Sequence, residues 1–205
     1  MVAGVHLVAV DPFGRPVEEA TWTLEDGVIA EQMGDGTVDL APGHYRVAVT
    51  APGFFGQNLE FDVVEGRDSE VQAVLDASLV TLTDRAIVIH DKVYFETNLA
   101  VIKPESHELL RQVARVMVEH PELLEIRVEG HADERGGDDF NLDLSHRRAQ
   151  AVRQFLIAQG VSPGRLQAKG FGESQPVADG HDEAAWEQNR RVEFIITERL
   201  DLSER

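Results

Sequence analysis

NLDLSHRRAQAVRQFLIAQG, residues 141–160, reads as one amphipathic helix closed by Gly160. At 100° per residue, Leu144, Ala151, Val152, Phe155 and Leu156 fall at about 0°, 340°, 80°, 20° and 120°, a single apolar arc. Arg148 falls at about 40°, inside that arc, whereas Arg147 and Arg153 lie at its edge or beyond. A guanidinium on a core-facing stripe requires an anionic or carbonyl partner, because an unpaired buried charge costs about 3–5 kcal/mol.

The flanking sequence alternates strands with helices. Ala86–His90 and Val93–Phe95 are strand-like, and Pro104 suits a first helical position, where its missing N–H costs nothing. Leu110, Val113, Ala114 and Met117 keep helical spacing until Pro121 stops propagation. Residues 124–128 form a strand, 165–169 another ending at Gly170, 183–188 a short helix, and 191–197 the last strand. This βαβαβ(α)β order over 86–198 predicts an α+β sandwich, with 199–205 as a polar tail. In the last strand, alternation puts Arg190 on the face of Val192, Phe194 and Ile196, with Arg191 opposite beside Glu193. Arg148 and Arg190 therefore converge on one core, and the nearest acid is Asp133, in the loop His131-Ala132-Asp133-Glu134-Arg135-Gly136-Gly137. Two readings stand: a structural Asp133–Arg148 ion pair that fixes the loop, or a pocket of two cations and one anion. The second suits a ligand bearing a carboxylate beside an ammonium.

Residues 1–78 obey a different grammar, with short alternating runs at Val5–Val10, Ala20–Leu24, Thr37–Leu40, His44–Val49 and Leu59–Val63. Turn chemistry separates them at Asp11-Pro12-Phe13-Gly14, Glu25-Asp26-Gly27 and Gly34-Asp35-Gly36. About six or seven strands at this spacing predict a small β-sandwich. Residues 79–85 are expected to link it to the second domain. Trp22, Phe54 and Phe55 could form a carbohydrate-stacking platform, but core and turn packing explains them more simply.

Of the 205 residues, 37 are acidic and 19 basic, a net charge of −18 that opposes nucleic acid and anionic lipid. No apolar run is long enough to cross a bilayer as a helix. Val2–Val10 is short, holds His6 and has no basic residue before it, so it reads as a first strand and not as an export signal. Cysteine is absent, which removes disulfides, thiolate metal sites and thiol catalysis.

Four ordered motifs carry a family resemblance. They are Val128-Glu129-Gly130-His131-Ala132-Asp133-Glu134-Arg135-Gly136, Asn141-x-x-Leu144-Ser145-x-x-Arg148-Ala149, Gly170-x-Gly172-Glu173-x-x-Pro176 and Asn189-Arg190-Arg191-Val192. Together they resemble the OmpA C-terminal domain (OmpA/MotB/Pal) family. The loop and Gly180–Ala185 are most similar to its peptidoglycan-associated lipoprotein branch. The resemblance implies a non-enzymatic domain that binds peptidoglycan non-covalently through the stem-peptide diaminopimelate, tethering the outer membrane or an envelope complex to the wall of a Gram-negative cell. It places the protein in the periplasm, associated with the outer membrane, although neither a lipobox cysteine nor a membrane barrel is found in the sequence. Carried over by motif, Asp133 receives the ligand's ammonium and Arg148 its carboxylate. Asn141 and Arg190 complete the polar wall, and the backbone of Glu96, Thr97 and Asn98 lines the near side. Arg135 and His131 are secondary candidates, and Glu96 departs from the family's usual Asp. The first domain resembles carboxypeptidase-regulatory or PEGA-type β-domains, through Asp11–Val17 and Pro42–Phe54, which implies either a spacer or an interaction domain for other envelope proteins.

No catalytic, metal or cofactor site is expected. The pairing of His131 and Asp133 is too sparse for a metal centre, and carboxylates with arginine partners stay ionised and make poor general acids. The alternative to wall binding is an envelope protein–protein interaction module in which Asp133 and Arg148 form only a structural pair.

Overall fold

The structure, a computed structural model, describes residues 2–24, 27–31 (backbone only) and 36–201. The turn expectations at Glu25-Asp26 and at Gly34-Asp35 lie outside the described residues, as does the tail beyond Asp201. The chain divides into two compact units, Met1–Ser78 and Leu79–Arg205.

Among the described residues the first unit holds seven strands: β1 (Ala3–Val10), β2 (Thr21–Leu24), β3 (Gly27–Glu31), β4 (Thr37–Leu40), β5 (Gly43–Thr50), β6 (Gln57–Val63) and β7 (Ser69–Val74). They form two sheets, β4-β1-β7 and β3-β2-β5-β6. Alternation explains the packing, since Ala3, Val5, Leu7 and Ala9 of β1 point into a core shared with Trp22, Val47, Val49 and Leu75. Trp22 is buried in that core, and Phe54 packs against it, so neither belongs to an open stacking platform. At the first turn Gly14 takes φ +77°, and its N–H donates to Asp11 O at 2.9 Å. The buried Asp11 carboxylate accepts from Phe13 N and Arg15 N, both at 2.9 Å, and from Arg15 Nε at 2.6 Å.

The second unit is built from β8 (Val80–Leu82), β9 (Ala86–Ile89), α1 (His107–Glu119), β10 (Leu123–His131), α2 (Asp138–Ala158), β11 (Leu166–Gly172), α3 (Glu183–Asn189) and β12 (Val192–Arg199). Its sheet runs β11-β10-β12-β9-β8; β10 and β11 are parallel and the other neighbours antiparallel. The α+β architecture agrees with the sequence reading, with three corrections. Residues 80–82, expected in a linker, pair with β9 as an edge strand, because Val80 and Leu82 have apolar partners there. Residues 93–95 make only an isolated bridge, Phe95 to Ile102, since the chain turns at Glu96–Leu99 before it can extend. The last strand reaches Arg199, and Leu200 N still donates to Glu122 O at 2.8 Å, so the predicted tail begins in paired backbone.

Two glycines seat α2. A Cβ on Gly130 of β10 would lie 2.2 Å from Ser145 O, and one on Gly170 of β11 2.3 Å from His146 N. Only a bare backbone admits so close a helix. Ser145 Oγ closes the contact by accepting from Gly172 N at 2.9 Å. Leu144, Val152 and Leu156 of the expected arc are buried, joined by Ala149, whereas Ala151 and Phe155 are only partly buried, because the buried face is turned toward Asn141 and Ser145.

Candidate functional site

The turn after β10 carries Asp133, a residue only 6% exposed. Its Oδ1 accepts from Arg135 N at 2.9 Å and Arg135 Nε at 3.3 Å, and its Oδ2 from Arg135 Nη2 at 2.9 Å and Arg190 Nη1 at 2.6 Å. Burial pushes its pKa up, but the donors of Arg135 and Arg190 outweigh that and bring it down to about 2. Glu183 closes a ring of charges by accepting from Arg135 Nη1 at 3.1 Å and Arg190 Nη2 at 2.6 Å. Around it, Arg135 stacks 4.3 Å from the Trp186 ring centroid. Trp186 Nε1 and His181 Nδ1 reach Glu134 Oε1 at 2.9 and 2.7 Å, and hydrogen bonding to Glu134 raises the His181 pKa.

Arg148 stands apart from this ring. Its Nε donates to Leu99 O at 3.1 Å and its guanidinium lies 4.9 Å from the Phe95 ring centroid. Among the described residues no carboxylate lies within ion-pair distance of it. Burial lowers its pKa, and the Arg190 and Arg147 charges lower it further. The structural Asp133–Arg148 pair, the alternative of the two readings, is therefore absent: Arg135 and Arg190 are the cations that reach the acid. Both Asp133 and Arg148 instead line one open cleft of about 520 Å3, together with Phe95, Thr97, Asn98 and Arg190.

The other expected residues divide. Thr97 and Asn98 line the cleft, Asn98 in a left-handed turn at φ +57°. Glu96 does not line it. Its N–H donates to Val101 O and its carbonyl accepts from Leu99 N, so its backbone is consumed by the turn. Asn141 borders the cleft, but its Nδ2 donates to Asp133 O, Arg135 O and Glu173 Oε2 at 3.1, 3.1 and 2.7 Å, a clamp on the loop. Arg190 reaches the site as the residue after α3, two residues before β12, the strand that alternation had assigned it to. Sequence reasoning missed Glu183, whose place on an exposed helix turn gives no periodic signal.

His131 is not in the loop but at the buried end of β10, stacked on Phe171 with centroids 5.3 Å apart. Its Nε2 lies 3.3 Å from Glu193 Oε2 and 3.8 Å from Glu129 Oε2. These three side chains could offer ligand atoms to a cation. Each carboxylate, however, already gives its other oxygen to an arginine: Glu129 to Arg127 at 2.6 Å and Glu193 to Arg191 at 3.2 Å. Proximity to His131, opposed by burial and helped by Arg191, brings Glu193 down to about 2, while neither buried ring nitrogen of His131 has a hydrogen-bond partner among the described residues. The cluster reads as a charge-balanced network bracing β10 against β12.

Residues 94–190 match the OmpA family. A stretch of 101 residues is 44% identical to the peptidoglycan-associated lipoprotein of Pseudomonas aeruginosa, covering 49% of this chain and 59% of that protein. Over 113 residues, 34% are identical to the Brucella melitensis peptidoglycan-associated lipoprotein, covering 55% and 67%. The cell wall anchor of the T6SS from Pseudomonas aeruginosa is similar in structure, with 28% identity, a TM-score of 0.50, and coverage of 59% of this chain and 89% of that one. The chain spans less than two thirds of the length of the first of these relatives, and the family match lies within the second unit.

Proposed function

We propose that this chain, which belongs to the OmpA family, anchors an envelope component to peptidoglycan by gripping the diaminopimelate side chain of the stem peptide. Residues 79–201 supply the grip. The ligand's carboxylate meets Arg148, with Arg190 nearby, and its ammonium meets Asp133; Thr97 and Asn98 line the approach. The observation that carries this reading is a partly buried guanidinium facing an open cleft with no carboxylate of its own, across from an acid held ionised. Removing a carboxylate ligand from such a cation leaves it desolvated and unpaired, so the cleft favours a ligand with an anionic end.

The proposed activity is binding, not hydrolysis. A carboxyl brought down to about 2 stays ionised at neutral pH and cannot serve as a general acid. The proposed working place is the periplasm, associated with the outer membrane; the relatives' names, peptidoglycan-associated lipoprotein, support a place at the cell wall. The first unit is proposed as a PEGA-like spacer or a contact surface for other envelope proteins.

Calorimetric titration of the full chain with a diaminopimelate-containing stem peptide, and with its lysine counterpart, tests the reading. Lysine lacks the second carboxylate, so it is expected to bind about tenfold more weakly or worse. Equal affinity for the two peptides, or binding of neither, overturns it.

A further inference from the structure

The acceptor capacity of Asp133 is already full. A carboxylate offers about four lone-pair sites, and all four are taken, three by Arg135 and one by Arg190. An incoming ammonium must therefore displace a donor. Arg190 is the poorer leaving partner: it makes the shortest contact, 2.6 Å, and its side chain is 31% exposed against 47% for Arg135. The side-chain donors of Arg135 are longer, at 2.9 and 3.3 Å, and its guanidinium already touches a second place to rest, Glu183 Oε2 at 3.1 Å and the Trp186 face at 4.3 Å.

Resting on the peptidoglycan reading above, we propose that Arg135 is an internal stand-in for the ligand's ammonium. It holds Asp133 in the empty cleft and is displaced onto Glu183 and Trp186 when a cationic group arrives. Its backbone N–H stays on Oδ1, so the loop keeps its shape while the side chain leaves. Arg135 thereby sets specificity by competition. A ligand with a free amine must expel it, whereas one that presents only a carboxylate binds at Arg148 and leaves it in place. Glu183 and Trp186 act through Arg135 as positioning residues, since neither lines the cleft.

The test titrates the full chain with a diaminopimelate stem tripeptide and with the same peptide acetylated on the side-chain amine. In Arg135→Met, which keeps the stem over Trp186 but removes the charge, the free-amine peptide is expected to bind about tenfold tighter. The acetylated peptide should change by less than twofold. Glu183→Gln, which weakens the resting place, should loosen the free-amine peptide alone. Arg135→Met binding the free-amine peptide as wild type does, or more weakly, overturns the inference and leaves the wall-binding reading intact. Wild-type protein that binds neither peptide overturns both. If Arg135→Met does not fold, the Glu183→Gln titration decides: equal weakening of both peptides, or of neither, refutes the displacement.

Discussion

Each unit contains a buried aspartate that closes a turn on an arginine, and the two behave differently. Asp11 accepts from Phe13 N, Arg15 N and Arg15 Nε, all within four residues. Asp133 accepts from Arg135 in the same local manner, but also from Arg190, 57 residues away, and it lines a cleft that also holds Arg148, which has no acid within ion-pair distance among the described residues. A buried carboxylate with local donors is thus ordinary turn chemistry. What sets the proposed binding site apart is a long-range cation on the acid together with an arginine in the same cleft that has no acid of its own among the described residues.

That contrast is broken most severely by substituting either side of the cleft. Asp133→Ala is expected to cost about 2–5 kcal/mol of stem-peptide binding and about 1–3 kcal/mol of stability, because it removes the buried carboxylate that Arg135 and Arg190 share and leaves them only the exposed Glu183. Arg148→Ala should lose binding on the same scale while its melting temperature barely moves, since no carboxylate is left behind. Parallel calorimetry and thermal denaturation check both. If the two variants lost stability equally, the cleft would be a structural ion network and the contrast with Asp11 would vanish.

Acid sharpens the comparison. The folded pKa of Asp133 is depressed, to about 2, so its contribution is fully present above the unfolded value of about 3.9 and is lost as pH falls through the folded one. The second unit should therefore lose up to about 2 kcal/mol from this group between roughly pH 4 and pH 2. Glu193, also brought to about 2, adds a loss of the same sign. Circular dichroism melts across that range should show the fall, and Asp133→Asn should flatten it. The smallest effect is expected from Asp11→Ala: a modest drop in melting temperature with peptide affinity unchanged, measured by the same titration.

Much of this was readable in the chain. The α2 arc exposed Arg148 as a misplaced charge, and strand alternation brought Arg190 to the same side, although the residue sits at a helix end. The pairing of Asp133 was not readable. Periodicity locates faces but not distances, and it could not show that Arg135, two residues along, and Arg190 would reach the acid before Arg148 did. Glu96 failed for a related reason: whether a loop backbone faces a ligand depends on which of its groups the turn has already used. Glu183 and Trp186 came only with the coordinates, because they hold the loop from an exposed seven-residue helix with no apolar stripe to announce it.

The bare backbones of Gly130 and Gly170 beneath α2 have a consequence for how the protein can change over time. Where a helix rests on side chains, each core replacement lifts or tilts it, and any group it carries drifts with the packing. Here main chain rests on main chain at Ser145 and His146, one helical turn or less from Arg148. The height of that guanidinium above the sheet is insulated from turnover in the oily interior, so lineages could rebuild the core freely while the proposed gripping hand stayed in place.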